Sequence, residues 1–168
     1  MCIRDRFSRA NGRVPDSEFV ILALGRLGGG ALTHASDLDL IYLFTGDFSA
    51  ESDGPKPLGA TLYYNRLAQR VTAALSVPTA AGPLYSIDTR LRPSGTQGPL
   101  VVNVDSFARY QREDAWTWEH MALTRARPVF GSPAARAALD EIIGGVLAGD
   151  RPEPVSYTHL RAHETRGN

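Results

Sequence analysis

The chain has 168 residues, enough for one domain with a sizeable core, and its 18 basic residues balance 18 acidic ones. That balance offers no general polyanion surface and argues against nucleic acid as a partner. A single cysteine, Cys2, excludes a disulfide framework and a thiolate metal site, and no apolar run or signal peptide suggests a membrane, so a soluble cytoplasmic protein is expected.

The two ends read differently from the middle. Residues 1–6 and 155–168 carry no helix or strand period and resemble translated sequencing-adapter read-through, so both are expected to be non-native flanks, with a linker at 7–18. Phe19-Val20-Ile21-Leu22-Ala23-Leu24, closed by Gly25, predicts a strand buried on both faces, followed by a turn over residues 25–30. In the next strand Leu38, Leu40, Tyr42 and Phe44 alternate with Asp37, Asp39, Ile41 and Leu43. Asp37 and Asp39 therefore share a face, roughly 6.5 Å apart at about 3.3 Å of rise per residue.

Residues 47–57 read as a polar loop, and residues 58–76 as an amphipathic helix with Tyr64, Leu67, Ala68, Val71, Ala74 and Leu75 inward. A strand over 84–91, a turn over 94–98 and a strand over 100–102 are expected to form a hairpin. Beyond Asp105 the pattern turns helical, with Phe107, Tyr110 and Gln111, then residues 116–127, a break at Pro128 and Gly131-Ser132-Pro133, and a resumption over 134–147. The expected class is α+β, a small mixed sheet with helices packed against it.

Gly28-Gly29 permits close approach of backbone to a phosphate, but on its own reads first as a plain strand-to-helix turn. Asp37 and Asp39 suit metal ligation, although acidic residues at a strand start also cap or face solvent. At this spacing the two features together point to a nucleotide-plus-metal site. Asp88 supplies a third carboxylate: period two puts Asp88, Arg90 and Arg92 on one face, joining a metal ligand or base to two phosphate-binding forks. The alternative pairs each arginine with a surface carboxylate. Trp116, Trp118, Glu119, His120, Arg125 and Arg127 cluster in sequence, but aromatic residues at helical spacing read as core, and His120 lacks a partner at ligand spacing. His34 reads as solvated.

Gly25-Arg26-Leu27-Gly28-Gly29, Ser36-Asp37-Leu38-Asp39-Leu40, Asp88-Thr89-Arg90-Leu91-Arg92-Pro93-Ser94-Gly95, Ala115-Trp116-Thr117-Trp118-Glu119-His120 and Arg125-Ala126-Arg127 together resemble the glutamine synthetase adenylyltransferase family, in order across residues 19–133. The resemblance implies a DNA polymerase β-like nucleotidyltransferase domain over 19–130 and the start of a helical region over 131–154. It implies an enzyme that transfers AMP from ATP to a tyrosine of glutamine synthetase, down-regulating nitrogen assimilation. Two magnesium ions on Asp37, Asp39 and Asp88 are implied, with Gly28, Gly29 and Ser36 lining the triphosphate pocket; Arg90 and Arg92 join them on the face argument. Glutamine synthetase is the implied partner, with a nitrogen-signalling regulatory protein acting through the full-length enzyme.

The family carries two such modules, one attaching AMP and one removing it by phosphorolysis. The Arg92-Pro93-Ser94-Gly95 turn and the segment from Ala115 to His120 resemble the attaching module more. The alternatives are the removing module and a catalytically silent domain that docks glutamine synthetase. Gly30-Ala31 stand where the family usually has a large or charged residue and then glutamate, which implies a less robust turn with the three carboxylates intact.

Overall fold

A computed structural model describes residues 3–80, 82, 83 and 85–149. In chain order the helices are α1 (Ile3–Asn11), α2 (Gly25–Gly28), α3 (Ala60–Leu75), α4 (Val104–Glu113), α5 (Thr117–Leu123) and α6 (Pro133–Ala148). The strands are β1 (Phe19–Ala23), β2 (Leu38–Phe44), β3 (Pro78–Thr79), β4 (Gly82–Pro83), β5 (Ile87–Asp88), β6 (Val101–Asn103) and β7 (Arg127–Phe130).

The alternation in β1 and β2 serves two cores. Phe19, Ala23, Leu40, Tyr42 and Phe44 face α3, whose Tyr63, Tyr64, Leu67 and Ala68 cover them. Val20, Leu22, Ile41 and Leu43 face the other way, onto Phe107 of α4, Leu123 of α5, and Leu139 and Ile143 of α6. Side chains of this size contribute about 1.5–3 kcal/mol each when fully buried, so the strands are held from both faces. The expected α+β class and small mixed sheet are found: β1 pairs antiparallel with β2 and β7, while β5 and β6 pair parallel with β2.

The expected hairpin does not form. β5 and β6 lie one after the other along the same edge of β2, at Leu38 and Asp39 and then at Tyr42, Leu43 and Phe44. The strand expected over 84–91 is regular only at β5; Leu84 lies outside the described residues, and residues 90 and 91 form a turn. The excursion from β5 to β6 is cinched by Arg92, whose guanidinium donates to the carbonyls of Thr89 (2.8 Å), Pro99 (3.1 Å) and Gly98 (3.4 Å). Residues 127–130, expected to break a helix at Pro128, instead form edge strand β7, where a missing N–H is tolerated.

The expected flank and linker over residues 3–11 form α1. Phe7 anchors it, 1% exposed and edge-on to Tyr63 at 4.8 Å, with Arg70 above its ring. A single apolar anchor sets no period, so the sequence pattern hides the helix. The flank expected over 155–168 lies outside the described residues. Among the described residues no helix is long and apolar enough to cross a membrane.

Candidate functional site

At one end of the sheet the chain leaves β1 into α2 and returns through a loop into β2. Parallel register sets Asp39 beside Asp88, on neighbouring strands about 4.8 Å apart. Asp37 is exposed and immediately precedes β2. Burial first, then the charges of Asp88 and Asp37, push the Asp39 carboxyl above the usual carboxylate range. Asp88 moves the opposite way. The Arg90 guanidinium donates to Asp88 from Nη2 at 2.5 Å and from Nε at 2.9 Å, and its main-chain N–H donates at 2.8 Å, holding this carboxyl low. Of the pair, Asp39 therefore has the greater proton affinity.

An all-oxygen, like-charged donor set suits a hard divalent cation, whose charge would relieve the repulsion that raises Asp39. Among the described residues no three His, Cys, Asp or Glu side chains are gathered as such an ion requires, and Asp88 is turned toward Arg90.

The glycines of the turn differ in role. At Gly25, with φ +53, a Cβ would collide with the Asp39 carboxylate, so only glycine lets the start of α2 lie against this acid. At Gly28 a Cβ would collide with the Arg125 carbonyl and sit 2.6 Å from that of Ala23. Gly29 is exposed, with its nearest obstruction at 3.3 Å. The N–H groups of Gly28 and Gly29 donate to Leu24 and Gly25 carbonyls, so both serve the turn itself. Gly30 (φ +72) donates to Leu27 and Ala31 to Arg26, the pattern of a Schellman stop. The Gly30-Ala31 departure thus places a glycine where the backbone is left-handed, and ends α2 cleanly.

Ser36 is buried and closes a small turn: its Oγ accepts from the Thr33 N–H at 3.1 Å and lies 2.8 Å from the Thr33 hydroxyl. Arg92 does not share the carboxylate face, because the strand that would have carried it there ends at Asp88. Two residues given no role in the sequence reading prove structural, and the first of them supports the site. Arg127 of β7 donates to the carbonyls of Gly28 (3.1 Å) and Leu27 (3.0 Å), tying the end of α2 to a strand a hundred residues away. Buried Glu119 accepts from the Tyr110 hydroxyl (3.1 Å) and the Trp116 N–H (3.2 Å), joining α4 to α5, and burial raises its carboxyl. The signal was the clustering of Glu119 and Arg127 behind Trp116.

Trp116 and Trp118, expected in the core, are 59% and 51% exposed. Helix α5 is only two turns long, and its buried positions are Glu119 and Leu123, one turn apart, which leaves Trp118 and Met121 on the other face. His120 Nε2 donates to the Gln111 carbonyl at 2.8 Å, a structural contact. His34 is exposed, as expected.

The family model described as glutamate-ammonia ligase adenylyltransferase matches residues 3–142. The chain belongs to that family. The bifunctional glutamine synthetase adenylyltransferase/adenylyl-removing enzyme of Brucella suis biovar 1 (strain 1330) is 51% identical over 150 residues, which is 89% of this chain and 15% of the relative. The enzyme of the same name from Bradyrhizobium sp. (strain ORS 278) is 50% identical over 148 residues, 88% of this chain and 15% of its own. This adenylyltransferase-family chain therefore spans about 15% of the length of those relatives. A crystal structure of a toxin-antitoxin with AMP-PNP overlaps 96% of this chain and 90% of its own at 15% identity, with a TM-score of 0.36, too low to bear on fold or ligand.

Proposed function

We propose that this chain is a DNA polymerase β-like nucleotidyltransferase module that transfers AMP from ATP to a tyrosine of glutamine synthetase. The observation that carries the reading is the register of Asp39 against Asp88, with the glycine turn lying directly against Asp39. Family membership makes adenylyl transfer the chemistry those carboxylates would serve. The attaching direction is favoured over removal by the Arg92-Pro93-Ser94-Gly95 turn and the segment from Ala115 to His120.

Asp37, Asp39 and Asp88 would hold magnesium, which when bound supplies positive charge to the triphosphate and makes the acceptor hydroxyl, with a free pKa of about 10, more acidic. The chain's own residues do the positioning. Gly25 gives the start of α2 its close approach to Asp39, and Arg127 fixes the other end of that turn. Gly29 is exposed and carries no side chain, so a phosphate can approach the turn closely there, although its N–H is engaged by the Gly25 carbonyl. Asp88, held ionised by Arg90, stays an acceptor across the neutral range, while Asp39 has the higher proton affinity of the two. The tyrosine oxygen bonds to the α-phosphorus, pyrophosphate leaves, and the phenolic proton passes to a carboxylate or water.

Isothermal titration of Mg-ATP into the wild type and Asp39→Asn tests the reading. Saturable binding that requires magnesium and is lost in Asp39→Asn supports it; equal binding by both proteins, or none by the wild type, refutes it. A catalytically silent docking domain would give the latter result.

A further inference from the structure

Arg90 reads from sequence as a fork for phosphate, yet in the structure it is spent on Asp88. The guanidinium and the main-chain N–H of Arg90 together engage both carboxylate oxygens: Oδ1 accepts from N (2.8 Å) and Nε (3.1 Å), Oδ2 from Nε (2.9 Å) and Nη2 (2.5 Å). A divalent cation on Asp88 would need those same lone pairs. The two partners differ in freedom. The Arg90 side chain is 76% exposed and sits in the turn after β5, while the Asp88 side chain is 19% exposed and fixed by its register with Asp39. The Arg90 guanidinium can therefore swing away, releasing Oδ2 entirely and leaving only the main-chain N–H on Oδ1, while Asp88 cannot follow it.

We propose that Arg90 is a displaceable internal counter-ion, which neutralises Asp88 in the empty site, yields that carboxylate to a divalent cation, and then turns its fork to the nucleotide's phosphates. The inference rests on the nucleotidyl-transfer reading above. It accounts for two observations at once: three carboxylates at one end of the sheet, and no three of the described side chains closed around a cation position. Its consequence is that cation alone binds against a competitor, whereas cation arriving with triphosphate gives the guanidinium somewhere to go. Metal and nucleotide thereby favour each other's binding.

The test is Mn2+ titration of the 168-residue chain without nucleotide, read by calorimetry or by the electron paramagnetic resonance of free Mn2+, for wild type, Arg90→Gln, Arg90→Lys and Asp39→Asn. Circular dichroism verifies that each variant is folded. Arg90→Gln is expected to bind Mn2+ roughly three- to tenfold more tightly, the range for losing one exposed bidentate competitor, and to bind Mg-ATP more weakly by a similar factor. Arg90→Lys, which keeps the charge without the fork, is expected to fall between. Unchanged or weaker Mn2+ binding in Arg90→Gln, beside wild-type binding that Asp39→Asn abolishes, overturns the counter-ion and leaves the transfer reading standing. Absence of Mn2+ binding in wild type and Arg90→Gln, with ATP as well as without it, overturns both.

Discussion

Gly28 and Gly29 are neighbours of the same type, yet replacing each with alanine should have unlike consequences. At Gly28 the new Cβ would lie 2.6 Å from the Ala23 carbonyl oxygen and closer still to that of Arg125, where a carbon needs about 3.5 Å. Both obstructions are backbone, so α2 must move about 1.5 Å from the segment leading into β7. That movement would break the 3.1 and 3.0 Å hydrogen bonds from Arg127 to Gly28 and Leu27. Overpacking costs about 1–3 kcal/mol, and each of the two lost hydrogen bonds at this exposed arginine adds about 0.5–1 kcal/mol, for a total of about 2–5 kcal/mol. At roughly 2–4 °C per kcal/mol for a chain of this size, Gly28→Ala should lower Tm by about 4–20 °C, with a central expectation near 10 °C. Gly29 has φ −75 and its nearest obstruction at 3.3 Å, so Gly29→Ala should shift Tm by under about 2 °C. Thermal unfolding by circular dichroism measures both. A Gly28→Ala loss under about 3 °C, or equal losses in the two variants, would refute the packing role assigned to Gly28.

Two further outcomes follow from backbone strain and burial. Ser94 is left-handed (φ 60, ψ 16), a conformation costing a non-glycine about 1 kcal/mol, so Ser94→Gly should raise stability by roughly 0.5 kcal/mol after its entropy cost, seen as a higher midpoint in urea. Glu119 has a carboxyl raised by burial, so its protonation stabilises the fold below the ordinary glutamate range, and that contribution is lost as pH rises through the raised value. Glu119→Gln keeps an acceptor for Trp116 and Tyr110, so it should match or exceed wild-type stability at pH 7 and lose that advantage toward pH 4, by urea unfolding at each pH.

The face taken by Asp39 is legible in the sequence because period two in β2 is enforced by its two cores; Asp37 lies one residue before the strand, where that period no longer dictates its direction. Asp88 does lie in register beside Asp39, but the face argument that also gathered Arg90 and Arg92 there does not hold. The strand argument placed Arg90 and Arg92 beside it, but β5 ends at Asp88, and beyond it hydrogen bonds to carbonyls and to Asp88 itself direct the two arginines. The strand expected over 100–102 is found as β6, but its pairing, like the existence of four-residue β7, is decided by an edge of β2 or β1 that local sequence does not reveal. Helix α5 misled because Glu119, a charged residue, takes the inward position while Trp118 does not. Gly28 was visible as a glycine, but its contact with the Arg125 carbonyl spans nearly a hundred residues and is a property of the fold.

The central claim is adenylyl transfer at Asp37, Asp39 and Asp88, and the direct measurement is incubation of the full-length enzyme carrying this chain with glutamine synthetase, magnesium and ATP labelled at either the α- or the γ-phosphorus. The account predicts that α-label alone appears on a synthetase tyrosine, and that Asp39→Asn in this chain abolishes the transfer while its thermal unfolding stays within about 3 °C of wild type. Transfer of α-label at the wild-type rate by the folded Asp39→Asn enzyme, or phosphate-dependent release of ADP from modified synthetase as the only activity this substitution removes, would contradict it.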